Sequence, residues 1–172
     1  MKSTINQMLA QIHVMSDCII TPATILPKVP LHIILPDDLL ESYSLCGGLE
    51  LFIGSHNTIR ILPPEMFQNA NLAILGEEIE NDISSTWFIF ATGHSGEFVS
   101  IDLAKNRPGW CYDSYIDRHG VQGVCPIIAR SFTEWLRRVI DTRGQAQHFW
   151  LLPSFLSYGD AYDKNYMPLC QL

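Results

Sequence analysis

The segment at residues 86–103, TWFIFATGHSGEFVSIDL, limits the possible folds more than any other part of the chain. Its first half is rich in aromatic and β-branched residues, and its second half alternates polar and apolar residues, both of which are typical of β-strands. Gly93 and Gly96 lie between the two halves, where a tight turn needs residues that adopt positive φ. The segment therefore predicts a β-hairpin, and hence a sheet that is antiparallel at this point.

The same turn contains a serine between glycines, Gly93-His94-Ser95-Gly96, which raises the possibility of a serine hydrolase. The nucleophile elbow of those enzymes, G-x-S-x-G, needs a second glycine two residues after the serine, but position 97 is Glu. It also needs a helix after the serine, whereas this chain continues with a strand pattern. We therefore interpret the stretch as a hairpin turn.

A thiol nucleophile is a second catalytic possibility, because Cys111, a histidine (His94 or His119) and Asp102 supply the residue types of a thiol triad. Cys111 lies within a predicted strand, with no helix N-terminus after it to activate the thiol, and cysteine is more often a buried core residue. The chain also lacks the spacings of a zinc site or a P-loop. We predict a non-enzymatic protein with no catalytic residue, metal site or cofactor; an enzyme that uses Cys111 or Ser95 remains an alternative.

Apolar residues at helical spacing predict three helices. The first covers residues 4–14 after Ser3, and the second begins at Pro36 and ends at the glycine pair 47–48. The third begins at Ser131, which has the S-x-x-E spacing of a capping box with Glu134. A shorter helix is predicted in PPEMFQNANLAIL.

The remaining apolar or alternating segments are predicted strands: LELFIG, TIRIL, TWFIFAT, EFVSIDL, GWCYDSYI and VQGVCPIIA. They follow one another through hairpin-length connections and do not alternate with helices. This order predicts the α+β class with a mainly antiparallel sheet. At 172 residues and 47% apolar composition, the chain is expected to form one domain over residues 1–172.

The formal net charge is −7, and the acidic excess lies in the first 100 residues, which contain 11 acidic and 3 basic residues. A nucleic-acid-binding protein would need clustered Lys and Arg to neutralise phosphates, so direct nucleic-acid binding is not expected. The imbalance fits a protein that meets a basic partner. It also fits a protein that uses its charge only for solubility.

The chain is expected to be cytoplasmic and to have no contact with a membrane. No apolar run approaches the ~20 residues that span a bilayer, and the N-terminus lacks the pattern of a signal peptide. Five cysteines, at positions 18, 46, 111, 125 and 170, are odd in number and have no C-x-x-C spacing. Reduced thiols are therefore expected.

Four motifs follow one another within residues 30–141: LPDDLLESYSLCGG, IRILPPEMF, WFIFATGHSGEFVSIDL and PIIARSFTEWLRRVI. In order and spacing the chain resembles the SUKH superfamily, which includes yeast cell-wall-assembly regulators and many bacterial immunity proteins. Trp135 stands where the family more often has Phe. The N-terminal helix with its proline-rich connection and the aromatic tail after residue 141 lie outside the resemblance, as extensions of the single domain.

The resemblance implies an α+β fold with helices packed on one side of an antiparallel sheet, and no enzymatic activity. For bacterial members it implies an antidote that binds a cognate toxin, often a nuclease or a nucleic-acid deaminase. We therefore expect an immunity protein whose partner is a basic toxin domain. The alternative is an intracellular scaffold or regulator that binds a housekeeping protein, and the choice between monomer and dimer stays open.

Two features are candidates for contact with the partner. The stretch GEEIENDI places Glu77, Glu78, Glu80 and Asp82 in one acidic loop, which would speed association with a basic protein. An ordinary solvated loop has the same composition. Trp110, just before a predicted strand, is a candidate aromatic anchor because Trp is enriched at binding hot spots; its alternative is a place in the core.

Overall fold

The computed structural model describes residues 3–94, 96–143 and 145–164. This part of the chain contains four α-helices and eight strands. The helices are α1 (Thr4–His13), α2 (Asp37–Leu45), α3 (Ala70–Leu75) and α4 (Phe132–Asp141). The strands are β1 (Ile19–Pro22), β2 (Cys46–Leu51), β3 (Ile59–Ile61), β4 (Gln68–Asn69), β5 (Trp87–Thr92), β6 (Phe98–Asp102), β7 (Cys111–Asp113) and β8 (Ile127–Ala129).

The strands form one antiparallel sheet in the order β1-β2-β3-β5-β6-β7-β8, and β4 also pairs with β5. The predicted hairpin at residues 86–103 is its centre: Trp87 lies opposite Asp102, and Thr92 lies opposite Phe98. The α+β class and the antiparallel sheet are confirmed. None of the helices in the described ranges is long and apolar enough to cross a bilayer.

One face of the sheet carries the larger apolar core and the three longer helices. Strand β5 contributes Phe88 and Phe90 to this core, and α4 contributes Trp135, whose ring meets the Phe90 ring edge-on at 4.8 Å. The N-terminal extension packs here through Ile5 and Ile12 of α1, which are almost fully buried. Apolar positions spaced by three and four residues explain why each helix turns one stripe towards this face.

The opposite face carries a smaller core that contains more polar groups. Its apolar part is formed by Trp87 and Ile89 of β5, the stacked ring of Tyr112 and the first turn of α3. Alternate residues of a strand point to opposite faces, so β5 serves both cores. The short helix α3 and the segment at residues 158–162 cover this second face.

The two edges of the sheet differ. Strand β8 continues into backbone hydrogen bonds with the C-terminal segment: Ile127 donates to Gly159 at 2.9 Å, and Tyr158 donates to Ile127 at 3.1 Å. This segment is tied to α4 by the Tyr158 hydroxyl, which donates to Glu134 Oε1 at 2.6 Å. Strand β1 forms the other edge, and its burial pattern is mostly exposed.

Three local predictions need correction. The glycine pair at 47–48 does not end α2; Cys46 is already extended, and both glycines lie within β2. They are required there because a Cβ on Gly47 would collide with the Pro22 carbonyl oxygen, and one on Gly48 would lie 2.9 Å from the Ile61 carbonyl oxygen. The backbones of β1 and β3, the two neighbours of β2, thus lie too close to positions 47 and 48 for these positions to carry side chains.

The predicted short helix in residues 63–75 is divided into three pieces. A 3₁₀ turn at Pro64–Met66 is followed by β4 and then by α3. The division arises because β4 pairs with β5, and the Asn69 side chain then caps α3 by accepting from the Leu72 amide at 3.1 Å. Sheet pairing overrides the local helix preference here.

Only one of the two hydrogen bonds predicted for the capping box at α4 is present. Ser131 Oγ accepts from the Glu134 amide at 3.0 Å, as expected for an N-cap. The Glu134 carboxylate, however, accepts from the Arg130 amide at 2.8 Å and not from Ser131. The glutamate therefore holds the residue that links β8 to the helix.

Candidate partner-binding surface

The acidic loop predicted at residues 76–82 connects α3 to a 3₁₀ turn at Ile83–Thr86. Gly76 adopts φ +85° and donates to the Leu72 carbonyl, so it ends α3 by a left-handed cap. The following Glu77, Glu78 and Glu80 are all exposed. The loop thus begins at a fixed position, Gly76, and presents three carboxylates to solvent.

Asp82, the fourth acid of this loop, has a different environment. Its Oδ1 atom accepts three hydrogen bonds: from the Ser84 amide at 2.8 Å, from Ser84 Oγ at 2.6 Å and from the Tyr162 hydroxyl at 2.8 Å. The first of these caps the 3₁₀ turn, and the last ties the loop to the C-terminal segment. Asp82 is half-buried and holds the end of the loop in place.

A buried chain of side-chain hydrogen bonds continues from Ser84 into the protein. Asn71 donates to Ser84 Oγ at 3.1 Å, and its Oδ1 lies 2.8 Å from His119 Nε2. His119 Nδ1 lies 3.1 Å from Ser114 Oγ. Because Asn71 uses its amide group on Ser84, its oxygen must accept from His119, which assigns the proton to Nε2 and leaves Nδ1 as an acceptor.

His119 is therefore a neutral, structural histidine. Burial lowers its pKa to about 4 and outweighs the opposing effect of the Asp82 charge. Its ring also meets the Trp87 ring edge-on at 5.7 Å. Sequence reasoning considered His119 only as a partner of Cys111. It did not find this hydrogen-bond network, because the residues in it lie up to 48 positions apart. No local spacing signals such a network.

Beside the acidic loop, α3 exposes an apolar face. Leu72 and Leu75 are each more than 40% exposed, while Ala70 and Asn71 of the same helix are fully buried. Residues three apart lie on one side of a helix, so the two leucines share the outer face. Carboxylates and aliphatic side chains thus occur within nine residues of sequence on one exposed stretch.

Trp110 lies half-buried against the second core. The Arg130 guanidinium sits 5.5 Å from the centre of the Trp110 ring and 4.4 Å from that of Tyr158. Cation–π contacts of this kind hold the ring in a fixed orientation. Trp110 therefore has a structural role, and the residue is only half-buried.

The catalytic alternatives have little support from geometry. Cys111 is fully buried, and burial together with the nearby charges of Asp38 and Glu134 raises the pKa of its thiol well above the ordinary value. Its Sγ contacts the Gly109 carbonyl oxygen at 3.4 Å, while His119 is engaged elsewhere. Ser95 lies outside the described residues. Within the described ranges, no three His, Cys, Asp or Glu side chains form a metal-binding group.

Comparison with known proteins identifies the family. The SMI1 / KNR4 family (SUKH-1) matches residues 30–138. Immunity protein YokJ of Bacillus subtilis (strain 168) is 41% identical over 160 residues, which cover 93% of this chain and 96% of that protein. No solved structure matches the chain significantly. The prediction of a non-enzymatic protein is confirmed by this assignment: the chain belongs to the SMI1/KNR4 (SUKH-1) family.

Proposed function

We propose that this protein is a cytoplasmic immunity protein that binds and neutralises a cognate protein toxin. The observation that carries the proposal is the 41% identity to a named immunity protein, which extends over nearly the whole of both chains. The toxin is of the nuclease or deaminase type, since such a protein needs a basic surface to hold nucleic acid. An acidic chain complements that surface.

The proposed contact is the acidic loop with the outer face of α3. Glu77, Glu78 and Glu80 attract a basic domain, and the neighbouring Leu72 and Leu75 supply apolar area that association would bury. Asp82 fixes the end of the loop, which reduces the backbone ordering cost of presenting the carboxylates on binding. Trp110 adds an aromatic anchor through its exposed part.

The first experiment identifies the partner. Tagged full-length protein is used to capture its partner from native lysate at low and moderate salt, and the complex is read by mass spectrometry. A stoichiometric partner that carries a basic toxin domain, and whose toxicity is relieved by co-expression of this protein, is the expected result. A housekeeping protein in its place would support the alternative, an intracellular scaffold or regulator.

The second experiment tests the surface with a charge-matched pair of variants. Replacing Glu77, Glu78 and Glu80 with Gln should slow association with the toxin about tenfold at low ionic strength and flatten its salt dependence, because these charges act on the encounter rate. The control replaces three other exposed acids: Glu65→Gln, Asp117→Asn and Asp141→Asn. Equal rates for both triple variants would show that only net charge matters and would remove the loop from the interface.

A further inference from the structure

The connection between β1 and α2, residues 23–36, forms a proline-rich strap with an unusual division of its side chains. Val29, Ile33 and Leu35 turn inward and pack against the larger core. Leu31 and Ile34 turn outward, and Leu31 is completely exposed. The strap is thus anchored on one side and presents aliphatic side chains on the other.

Leu31 stands at the tip of a tight turn. The Ile33 amide donates to the Pro30 carbonyl oxygen at 2.9 Å, which places Leu31 and His32 at the two central positions. Central turn positions ordinarily carry polar residues or glycine. The anchored Ile33 and the fixed φ of Pro30 hold this leucine away from the protein, where its exposure costs free energy in water.

An apolar pocket lies next to this leucine. It has a volume of about 450 Å³, and its lining includes Ile34, Leu35, Pro36, Leu103 and Pro108. Its polar lining residues are His32, Asp37 and Lys105. A protruding apolar side chain and an apolar pocket therefore lie within a few residues of each other on one surface.

The charge of the strap limits the kind of partner that can bind to it. Lys28 is the only Asp, Glu, Lys or Arg between residues 18 and 36, in a chain whose net charge is −7. A basic toxin finds no carboxylate within the strap itself. Two copies of this acidic chain repel each other over most of their surface, but the strap itself brings no carboxylate to the contact, and the Asp37 and Lys105 that line the pocket have opposite charges.

We propose that the strap is a self-association surface, in which Leu31 of each copy enters the apolar pocket of the other. A two-fold axis brings the same patch of both copies together, so one rotation satisfies both leucines and both pockets. This dimer is independent of the toxin-binding surface on the acidic loop. It would bury the exposed apolar side chains of the strap, which are otherwise unexplained.

The test measures the molar mass of the full chain by sedimentation over a concentration series. The expected result is a monomer–dimer equilibrium with a Kd tighter than about 1 mM. Leu31→Asp should weaken it by about a hundredfold or more, because the two-fold contact loses two buried leucines and would bury two carboxylates. Leu156→Asp is the matched control, because Leu156 is also largely exposed but lies outside the strap; it should leave the equilibrium unchanged.

A photo-reactive amino acid at position 31 tests the geometry directly. A cross-link between copies that ends within residues 103–108 supports the proposed pocket. A wild-type chain that stays monomeric, equal effects of the two Asp variants, or cross-links elsewhere would overturn the proposal. Loss of toxin binding by Leu31→Asp in a monomeric wild-type protein would also overturn it and assign the strap to the toxin.

Discussion

Asp102 illustrates how a single buried carboxylate organises the loop between β6 and β7. Its Oδ2 atom lies 2.7 Å from Arg107 Nε and accepts from the Tyr112 hydroxyl at 3.1 Å. Its Oδ1 atom accepts from Thr86 Oγ1 at 2.7 Å and from the Ala104 amide at 2.9 Å. All four partners donate, so the carboxylate accepts a hydrogen bond from each of them.

Replacing Asp102 with Asn should destabilise the protein by about 3–5 kcal/mol, because Arg107 would remain buried without its counter-charge. The free energy of unfolding in urea measures this loss. Glu50→Gln is the control, since it removes the acid of an exposed pair with Arg60 and should cost less than about 1 kcal/mol. Similar costs for the two variants would show that the buried pair has no special role.

The neutral state of His119 makes stability depend on pH. When pH falls from neutrality, the unfolded chain binds a proton near the ordinary histidine pKa of about 6.5, whereas the folded protein binds it only near pH 4. Stability is therefore lost between these two values, by roughly 3 kcal/mol in total. Burial also lowers the pKa of His148, which adds to the loss.

The His119 contribution is isolated by comparing unfolding free energies at about pH 7 and about pH 5 in two variants. His119→Gln keeps an amide that can donate and accept, and should show a smaller decrease than the wild type. His13→Gln removes an exposed histidine at the end of α1 and should follow the wild type. An unchanged decrease in His119→Gln would contradict the assignment of a neutral buried histidine.

At the level of elements, the sequence predicted the parts that depend on local pattern. Helices α1 and α4 and the β5–β6 hairpin follow from periodicity and turn residues, and each begins within about one or two residues of its predicted start. The glycine pair in β2 was misassigned, because the need for glycine comes from Pro22 and Ile61, which are distant in sequence. The strand β4 was missed for the same reason.

At the candidate site, too, only the features that depend on local sequence could be predicted. Composition was enough to find three exposed glutamates in a loop, but not to separate them from Asp82, whose partners include Tyr162, 80 residues away. Side-chain networks of this length depend on which surfaces the fold brings together. The sequence alone contains no signal for them.

At the level of the whole molecule, one sheet separates two cores, and strands β5, β7 and β8 contribute buried residues to both. Trp87 reports on the smaller core and Trp135 on the larger one, and both are fully buried. The N-terminal helix and the tail pack against these cores, which supports the proposal of a single domain. The two cores share this sheet, so loss of packing in one core would expose a face of the sheet on which the other core also depends.

We therefore expect one unfolding transition for the whole chain. In two variants that each keep one tryptophan, Trp87 or Trp135, with the other three replaced by Phe, the midpoint from tryptophan fluorescence should equal the midpoint from far-ultraviolet circular dichroism. Each variant then reports on a different core, so the two check each other. Separate midpoints in either variant would show that the two cores unfold independently.

The acidic loop has a consequence for how such a protein can evolve. Gly76 and Asp82 hold its two ends through backbone geometry and buried hydrogen bonds, whereas the side chains of Glu77, Glu78 and Glu80 are exposed between them. If the loop is the binding surface proposed above, substitutions at these three positions change what it recognises at little cost to folding. A lineage could exchange one antagonist for another by drift at three codons while its scaffold stays under purifying selection.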